Sequence, residues 1–178
     1  MNKLFSDFGF SMMSLWFKLR DLLAPPEAIL SEAGIEPGFH LLDYGCGPGS
    51  YSIVAARLVG RSGRVYAADV NPLALERVKG AASKNGLTNI ETIHTDCATG
   101  LENSTMDVVL LYDTYHDLAA PDDVLEELHR ILKPGSILCF SDHHMKEAEI
   151  LDKITNRDLF ALSGRGERTY SFLKKVGP

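Results

Sequence analysis

Three alternate glycines, Gly45, Gly47 and Gly49, follow an apolar run that carries Asp43 near its end. A ligand can approach the backbone closely at such a turn, because glycines lack side chains and adopt φ values that other residues resist. The spacing GxGxG is not the GxGxxG of dinucleotide sites, since Ser50 replaces the third glycine, and no P-loop Lys follows. The carboxylate of Asp43 would repel a pyrophosphate and attract an ammonium or sulfonium group. The pattern therefore favours a positively charged ligand over a diphosphate.

Acidic residues also close the next two apolar runs. Asp69 ends the second run, where an α/β nucleotide site places the carboxylate that accepts both ribose hydroxyls. After the third run, Asp96 could accept a hydrogen bond from an adenine amino group, and Cys97 could offer its backbone NH to the ring. Local interpretations stay open, because Asp69 could merely support the turn into a helix at Asn71 and Asp is common in turns. We prefer the hypothesis that these residues recognise adenosine.

Acids and histidines collect after the fourth and fifth apolar runs. They are Asp113, Tyr115, His116 and Asp117 after the fourth run, and Asp142, His143 and His144 after the fifth. Each histidine alone is more simply a solvated loop residue, but as a group we expect the two loops to contact a substrate. Asp113, Asp142 and His143 could hold a metal ion. However, neither HxH nor HExxH occurs, and adjacent histidines on an extended strand point to opposite sides, so no metal site is predicted.

The elements that must position these residues alternate along the chain. Apolar runs predict strands at Phe39–Tyr44, Arg64–Asp69, Ile90–Thr95, Met106–Tyr112 and Ser136–Ser141. The third run mixes polar residues through its length, which predicts an edge strand. Helix signals lie between the runs, with Asn71-Pro72 opening one helix that Asn85-Gly86 ends, and Pro121 opening another that Lys133-Pro134-Gly135 ends. This order predicts an α/β fold with a doubly wound, mostly parallel sheet, whose ligands bind beyond the carboxyl ends of the strands.

Length and composition indicate an ordinary globular chain. The 178 residues contain 24 Asp and Glu against 18 Lys and Arg, a net charge of −6 that disfavours stable binding of nucleic acid. Three scattered cysteines form neither a disulfide framework nor a CxxC site. The apolar stretch Phe8–Phe17 is only ten residues long and cannot span a bilayer, and no secretory signal is recognised. We therefore expect a cytoplasmic protein, as a monomer or homodimer.

Two proline-marked joints, Pro25-Pro26 and Pro37-Gly38, separate an N-terminal segment rich in large apolar residues. Met12, Leu15 and Trp16 have helical spacing, so residues 1–37 are predicted to form a helical cap or lid, with an interfacial helix as a less favoured alternative. Residues 38–178 are predicted to form the ligand-binding core of a single domain.

Four segments together carry a resemblance to a known family: LLDYGCGPG, VYAADVNP, HTDCATGL and MDVVLLYD. The chain resembles the class I S-adenosylmethionine-dependent methyltransferases from Phe39 to about Phe140. The resemblance implies a Rossmann-like methyltransferase fold that closes with a short antiparallel hairpin, here Asp158–Ser163 with Glu167–Lys174. It also implies S-adenosylmethionine as cofactor and S-adenosylhomocysteine as product. The implied cofactor-binding residues are Asp43, Gly45, Gly47, Gly49, Asp69, Val70, Asn71, Asp96, Cys97 and Tyr112.

Such a chain is expected to transfer a methyl group in line to a small-molecule acceptor, since little sequence remains for a separate recognition domain. A base is needed only when the acceptor atom must lose a proton, and His116, Asp113 and His143 are the catalytic candidates. A protein or RNA acceptor, or a non-catalytic S-adenosylmethionine-binding partner subunit, is the alternative. The fourth run lacks the Asn/Asp-Pro-Pro-aromatic cluster of base-modifying members.

Overall fold

Seven strands form one sheet in the computed structural model, which describes residues 25–176. The strands are β1 (His40–Tyr44), β2 (Arg64–Asp69), β3 (Ile90–His94), β4 (Met106–Tyr112), β5 (Leu132–Ser141), β6 (Phe160–Arg165) and β7 (Tyr170–Lys174). Their order across the sheet is β3-β2-β1-β4-β5-β7-β6. Strands β1 to β5 run parallel, and β7 pairs antiparallel with both β5 and β6. The doubly wound sheet, the edge position of β3 and the C-terminal hairpin confirm the predicted fold.

Helices cover both faces of this sheet. They are α1 (Pro26–Leu30), α2 (Ser50–Val59), α3 (Pro72–Lys84), α4 (Pro121–Ile131) and α5 (Glu147–Thr155), with 3₁₀ turns at Ser31–Ala33 and Tyr115–Asp117. Side chains from α1, α2 and α3 pack on one face, and those from α4 and α5 on the other. Because successive residues of a strand point to opposite faces, Leu41 packs towards α2 whereas Leu42 and Tyr44 pack towards α4. Both faces of the central strands are therefore buried, which explains their nearly continuous apolar sequence.

Helix α3 begins and ends where the sequence predicts. The side chain of Asn71 accepts a hydrogen bond from the backbone NH of Leu73 at 3.0 Å, and Pro72 occupies the first helical position. At the other end, Asn85 caps the helix and Gly86 adopts a positive φ of 65°. This local chemistry fixes the direction in which the chain leaves β2 and returns to β3.

The boundary between α4 and β5 differs from the prediction. Helix α4 ends at Ile131, and Leu132 already pairs with Met106 in the sheet, so the predicted helix end at Lys133-Pro134-Gly135 is wrong. The register shifts between Met106 and Val108, whose partner is Ile137, so the intervening residues of β5 bulge out of the ladder. A proline is tolerated there because the bulge requires no ladder hydrogen bond from it.

The C-terminal hairpin is shifted relative to the predicted segments. Strand β6 begins at Phe160, two residues after Asp158, whose φ of 61° breaks the extended conformation. The turn closes through the NH of Gly166, which donates to the carbonyl of Thr169 at 2.9 Å. The carboxylate of Glu32 holds this turn, because it accepts the NH and the hydroxyl of Thr169 at 3.1 and 2.6 Å and the NH of Glu167 at 3.1 Å. A contact so distant in sequence leaves no local signal.

The described part of the N-terminal segment packs into the core. Leu30 and Ala33 are buried beside Leu41 and Ala55 of the α2 face. The helical spacing of Met12, Leu15 and Trp16 lies outside the described residues, and the cap over residues 1–37 stays a prediction. Within residues 25–176, no helix has the length and apolar character needed to cross a membrane.

Candidate functional site

The turn between β1 and α2 places three glycines in the left-handed region, with φ values of 77° for Gly45, 51° for Gly47 and 92° for Gly49. A Cβ on Gly45 would collide with Thr114, and one on Gly49 would lie 2.8 Å from Cγ2 of Val78. Two of the glycines are therefore required by the packing of the chain itself. The turn is also fixed to β2, because the amides of Gly45 and Cys46 donate to the carbonyl of Ala68 at 2.8 and 3.0 Å.

Asp69 joins this turn to the end of β2. Its Oδ2 accepts the NH of Gly47 at 2.9 Å, and its Oδ1 accepts the NH of Asn71 at 2.7 Å. Burial raises the pKa of Asp69, and the two amides of Asn71 and Gly47 oppose that shift. Since a carboxylate oxygen has two lone pairs, each oxygen keeps capacity for a further donor. The carboxylate is half-buried, so a diol could reach it from solvent.

Asp43, in β1, supports the glycine turn from within the core. Its side chain is buried, and its Oδ2 accepts a hydrogen bond from the hydroxyl of Ser52 in α2 at 2.5 Å. This contact joins β1 to the first turn of the helix that the glycines introduce. Asp43 thus supports the glycine turn, as the resemblance implies. Its contact with the amino end of a bound cofactor stays a prediction.

Predicted cofactor-binding residues also lie beyond the ends of β2 and β3. Val70 is 59% exposed, and Asp96 is exposed as well. The NH of Cys97, which is predicted to face the adenine ring, donates to the hydroxyl of Thr95 at 3.1 Å. An adenine ring could use this amide only by sharing its hydrogen.

Helix α4 holds the loop that follows these residues. Glu127 accepts the NH and the hydroxyl of Thr99 at 2.8 and 2.5 Å, and Arg130 Nε donates to Glu127 at 2.7 Å. These hydrogen bonds, with that of Arg130 foremost, lower the pKa of Glu127 to about 2. The Asp96-Cys97 segment is therefore connected to a helix on the α4 face.

Two buried tyrosines at the strand ends have hydroxyls with no well-formed hydrogen bond among the described residues, and that of Tyr112 has only the thiol of Cys139 nearby. Tyr112, a predicted site residue, packs edge-on against Tyr51 at 5.1 Å between ring centroids, on the α2 face. Tyr44 lies on the other face, and its pKa is raised by burial and by the nearby Cys97, Asp96, Glu127 and Asp69. Sequence reasoning missed Tyr44, because nothing in the sequence marks its hydroxyl as unsatisfied. An unpaired buried hydroxyl among these groups fits a site that a polar ligand completes.

The loops after β4 and β5 are braced by two Asp–His pairs that cross between them. Asp142 on the β5 loop contacts Nδ1 of His116 on the β4 loop at 2.8 Å. Asp113 on the β4 loop contacts Nδ1 of His143 on the β5 loop at 2.7 Å. Asp113 has a φ of 49°, a conformation that non-glycine residues rarely adopt, and its NH donates to the carbonyl of Ser141 at 2.8 Å. The three predicted catalytic residues, Asp113, His116 and His143, are thus brought together.

Asp142, predicted from the sequence to lie in a loop that contacts a substrate, also belongs to this group. It follows β5 directly, but its partner His116 is distant in sequence, so only the fold reveals the pair. The rings of His116 and His144 also lie 4.2 Å apart, and those of His143 and His144 lie 4.0 Å apart. The cluster therefore contains Asp142 and His144 as well as the three predicted catalytic residues, and its imidazole rings are in contact.

Three members of this cluster are residue types that can bind a metal ion. Ligand atoms of Asp113, Asp142 and His143 lie within 4.8 Å of one another. However, both oxygens of Asp142 already accept hydrogen bonds from His116 and His144, so little coordinating capacity remains. The absence of a metal stays a prediction, which this hydrogen bonding supports.

The cluster lies next to the glycine turn. Thr114 follows Asp113, and its hydroxyl lies 3.5 Å from the carbonyl of Gly45 and 2.9 Å from that of Tyr112. Carboxylates and imidazoles that could move a proton are therefore adjacent to a turn that could receive a charged ligand.

Comparisons with known proteins agree with this arrangement. A family model described as a methyltransferase domain matches residues 35–174. The ubiquinone/menaquinone biosynthesis C-methyltransferase UbiE of Marinomonas sp. (strain MWYL1) is 25% identical over 135 residues, which make up 75% of this chain and 54% of that protein. The chain spans about half the length of the curated relatives it matches.

Solved structures share the fold. A SAM-dependent methyltransferase from Aquifex aeolicus superposes with a TM-score of 0.75 at 27% identity, over 87% of this chain and 91% of that one. A structure from Methanococcus maripaludis gives a TM-score of 0.78 at 17% identity, over 100% of this chain and 97% of that one, and shows the fold alone. The match of the methyltransferase model to residues 35–174 shows that the chain belongs to the class I S-adenosylmethionine-dependent methyltransferase family.

Proposed function

We propose that the protein transfers a methyl group from S-adenosylmethionine to a small-molecule acceptor. The observation that carries this proposal is the geometry of Asp69, whose carboxylate accepts the NH of Gly47 and still has acceptor capacity on both oxygens. One carboxylate thus serves both the glycine turn and the place where a ribose diol would bind. When bound, S-adenosylmethionine supplies an activated methyl group on a sulfonium and leaves as S-adenosylhomocysteine.

The surrounding residues would hold the rest of that ligand. Gly45, Gly47 and Gly49 would pass its methionine part, with Asp43 supporting them from the core. Val70 offers an exposed apolar surface for the adenine ring, and Asp96 with Cys97 would meet the polar edge of that ring. Asn71 and Tyr112 would complete the site from the start of α3 and the end of β4. The unpaired hydroxyl of Tyr44 supports a polar ligand beyond the carboxyl end of β1.

The acceptor would bind at the loops after β4 and β5, where Asp113, His116 and His143 are the proposed catalytic residues. Thr114 joins these loops to the glycine turn, so an acceptor here would lie beside the donor. Positioning two reactants in line contributes up to roughly 7–11 kcal/mol to such reactions, which leaves a base with a secondary role. The name of the Marinomonas relative, a ubiquinone/menaquinone biosynthesis enzyme, supports a ring-shaped small molecule as the acceptor.

Calorimetry and a turnover assay test this function. We expect S-adenosylmethionine and S-adenosylhomocysteine to bind, and S-adenosylhomocysteine to accumulate with hydroxyarenes, quinols, amines or nucleosides. Turnover only with a protein or RNA pool would replace the small-molecule acceptor. Binding without any turnover would favour a non-catalytic partner subunit. A chain that binds neither compound would refute the proposal.

A further inference from the structure

The carboxylate of Asp142 is fully enclosed, with a side chain 0% exposed, and three hydrogen bonds converge on it. Two come from backbone amides, that of His116 at 3.1 Å and that of His144 at 3.0 Å. The third joins it to Nδ1 of His116, at 2.8 Å from Oδ2 and 3.0 Å from Oδ1. The backbone amides fix where the carboxylate lies, and the carboxylate in turn fixes the imidazole.

This arrangement determines which nitrogen of His116 carries the proton. A carboxylate only accepts hydrogen bonds, so Nδ1 must be the donor of the contact with Asp142. In the neutral ring, Nε2 then has a free lone pair and can accept a proton. The His116 side chain is 25% exposed, so part of the imidazole is open to solvent.

Within residues 25–176, the charged and titratable groups that contact His116 belong to the two loops. Asp142 contacts Nδ1, and Asp117 Oδ2 lies 3.5 Å from Nε2 on the exposed side. The ring of His144 lies 4.2 Å away and that of His143, which Asp113 holds, 6.2 Å away. An imidazolium formed at His116 would therefore lie between two carboxylates, which stabilise its positive charge.

We propose that Asp142 is a positioning residue that holds His116 as the proton acceptor, and that the acceptor molecule carries a hydroxyl on, or conjugated to, the atom that is methylated. This inference rests on the proposed function and names the substrate class of the same site. The hydroxyl proton moves to Nε2 of His116, and the acceptor's electron pair forms the bond to the methyl carbon. The carbon–sulfur electron pair stays on sulfur, and His116 later releases the proton to water.

The second pair provides an internal comparison. His143 has the same Nδ1 contact with an Asp, but its side chain is 56% exposed against 25% for His116. Its partner Asp113 is also less enclosed than Asp142, at 25% exposure against 0%. Burial makes Asp142 the more restrictive support, so His116 is the better fixed base.

Nuclear magnetic resonance tests the positioning role without any acceptor. In long-range ¹H–¹⁵N spectra of the ¹⁵N-labelled full chain, neutral His116 is expected to carry its proton on Nδ1. In Asp142→Asn the amide can donate to Nδ1, so the proton should move to Nε2. A proton on Nε2 in the unmodified protein, or no change in the variant, would overturn the assignment.

Kinetics test the role in catalysis, with 1,4-dihydroxynaphthalene as the probe. Asp142→Asn should lower kcat by about 10²–10⁴-fold, the usual contribution of a general base, with the KM for S-adenosylmethionine unchanged. The loss should shrink as pH rises towards the phenolic pKa of the probe, about 10, because the proton then leaves without help. A loss that is equal at every pH, or a rise in KM alone, would indicate a merely structural role and overturn the proposal.

Controls separate this inference from the proposed function. Asp107→Asn removes a carboxylate that accepts the NH of His40 and pairs with Lys133 where β4 begins, and should leave kcat unchanged. His116→Gln should reproduce the kcat loss if Asp142→Asn does not fold.

A chain that binds S-adenosylmethionine but never methylates a hydroxyl-bearing probe overturns the acceptor class alone, whereas loss of that binding overturns the proposed function as well. Activity abolished by EDTA and restored by Mg²⁺ would reassign the cluster to a metal.

Discussion

Replacing Glu127 with Gln should destabilise the protein through the loop that carries Asp96 and Cys97. The pKa of Glu127 lies at about 2, against an ordinary 4.5, chiefly because Arg130 donates to it. That gap corresponds to roughly 3 kcal/mol of stabilisation at neutral pH. The side chain of Arg130 is 38% exposed, and solvent weakens the pair, so we expect a loss of about 2 kcal/mol.

The effect should depend on pH in a defined direction. A carboxylate whose pKa is lower in the folded state contributes its full stabilisation above the pKa of the unfolded chain and loses it as pH falls towards the folded value. Gln does not titrate, so the difference between the two proteins should be complete above about pH 5 and shrink towards pH 2. Urea unfolding at several pH values, followed by circular dichroism, measures this difference.

Glu126→Gln is the matched control, one residue away on the same helix. Glu126 forms an ion pair with Arg157 at the surface, and its side chain is 53% exposed against 11% for Glu127. Exposed pairs contribute about 0–1 kcal/mol, so this variant should be nearly neutral. Equal losses in the two variants, or a Glu127→Gln difference that does not change with pH, would refute the reasoning. Calorimetry should also show weaker binding of S-adenosylhomocysteine in Glu127→Gln than in Glu126→Gln.

Other predictions concern single positions. Asp69→Ala should weaken S-adenosylmethionine binding by roughly 1–3 kcal/mol, the range for losing hydrogen bonds to a charged group, and unchanged affinity by calorimetry would remove Asp69 from the site. Gly49→Ala should destabilise the fold by roughly 1–3 kcal/mol, since its Cβ would meet Val78 at 2.8 Å and its φ is positive. Gly80→Ala, in an exposed turn of α3 with open space around it, should instead stabilise the fold by roughly 0.5–1 kcal/mol. A urea midpoint for Gly80→Ala that is no higher than that for Gly49→Ala would contradict the packing argument.

Local signals predict most of the sheet and the glycine turn with its neighbouring acid. Strands β2 and β4 have the bounds that their apolar runs indicate, because both are buried on two faces and end at acidic or polar turns. The glycine turn and Asp69 were predicted by residue type and spacing alone. The start of β5 was missed because Lys133-Pro134-Gly135 resembles a helix end, whereas the fold accommodates it as a bulge.

Contacts across the sheet could not be predicted in this way. The pairing of Asp142 with His116 requires the loops after β4 and β5 to meet. The two residues are 26 positions apart, so the local sequence around either one does not indicate the other. The sequence likewise suggests that all three glycines serve a ligand, whereas Thr114 and Val78 occupy the space beside Gly45 and Gly49. The amide of Cys97 donates to the hydroxyl of Thr95 within a local turn. Residue types alone do not show whether this NH is hydrogen-bonded or free.

The position of β7 between β5 and β6 has a consequence for synthesis on the ribosome. Phe160–Arg165 is translated first, yet it reaches the sheet only through Tyr170–Lys174, which is translated later. Until that later segment leaves the exit tunnel, the nascent chain has an open edge along Ile137–Phe140, where backbone groups lack partners and can pair with other chains. Completion of the sheet is thus a late event, for which a chaperone at the tunnel exit would be of most use.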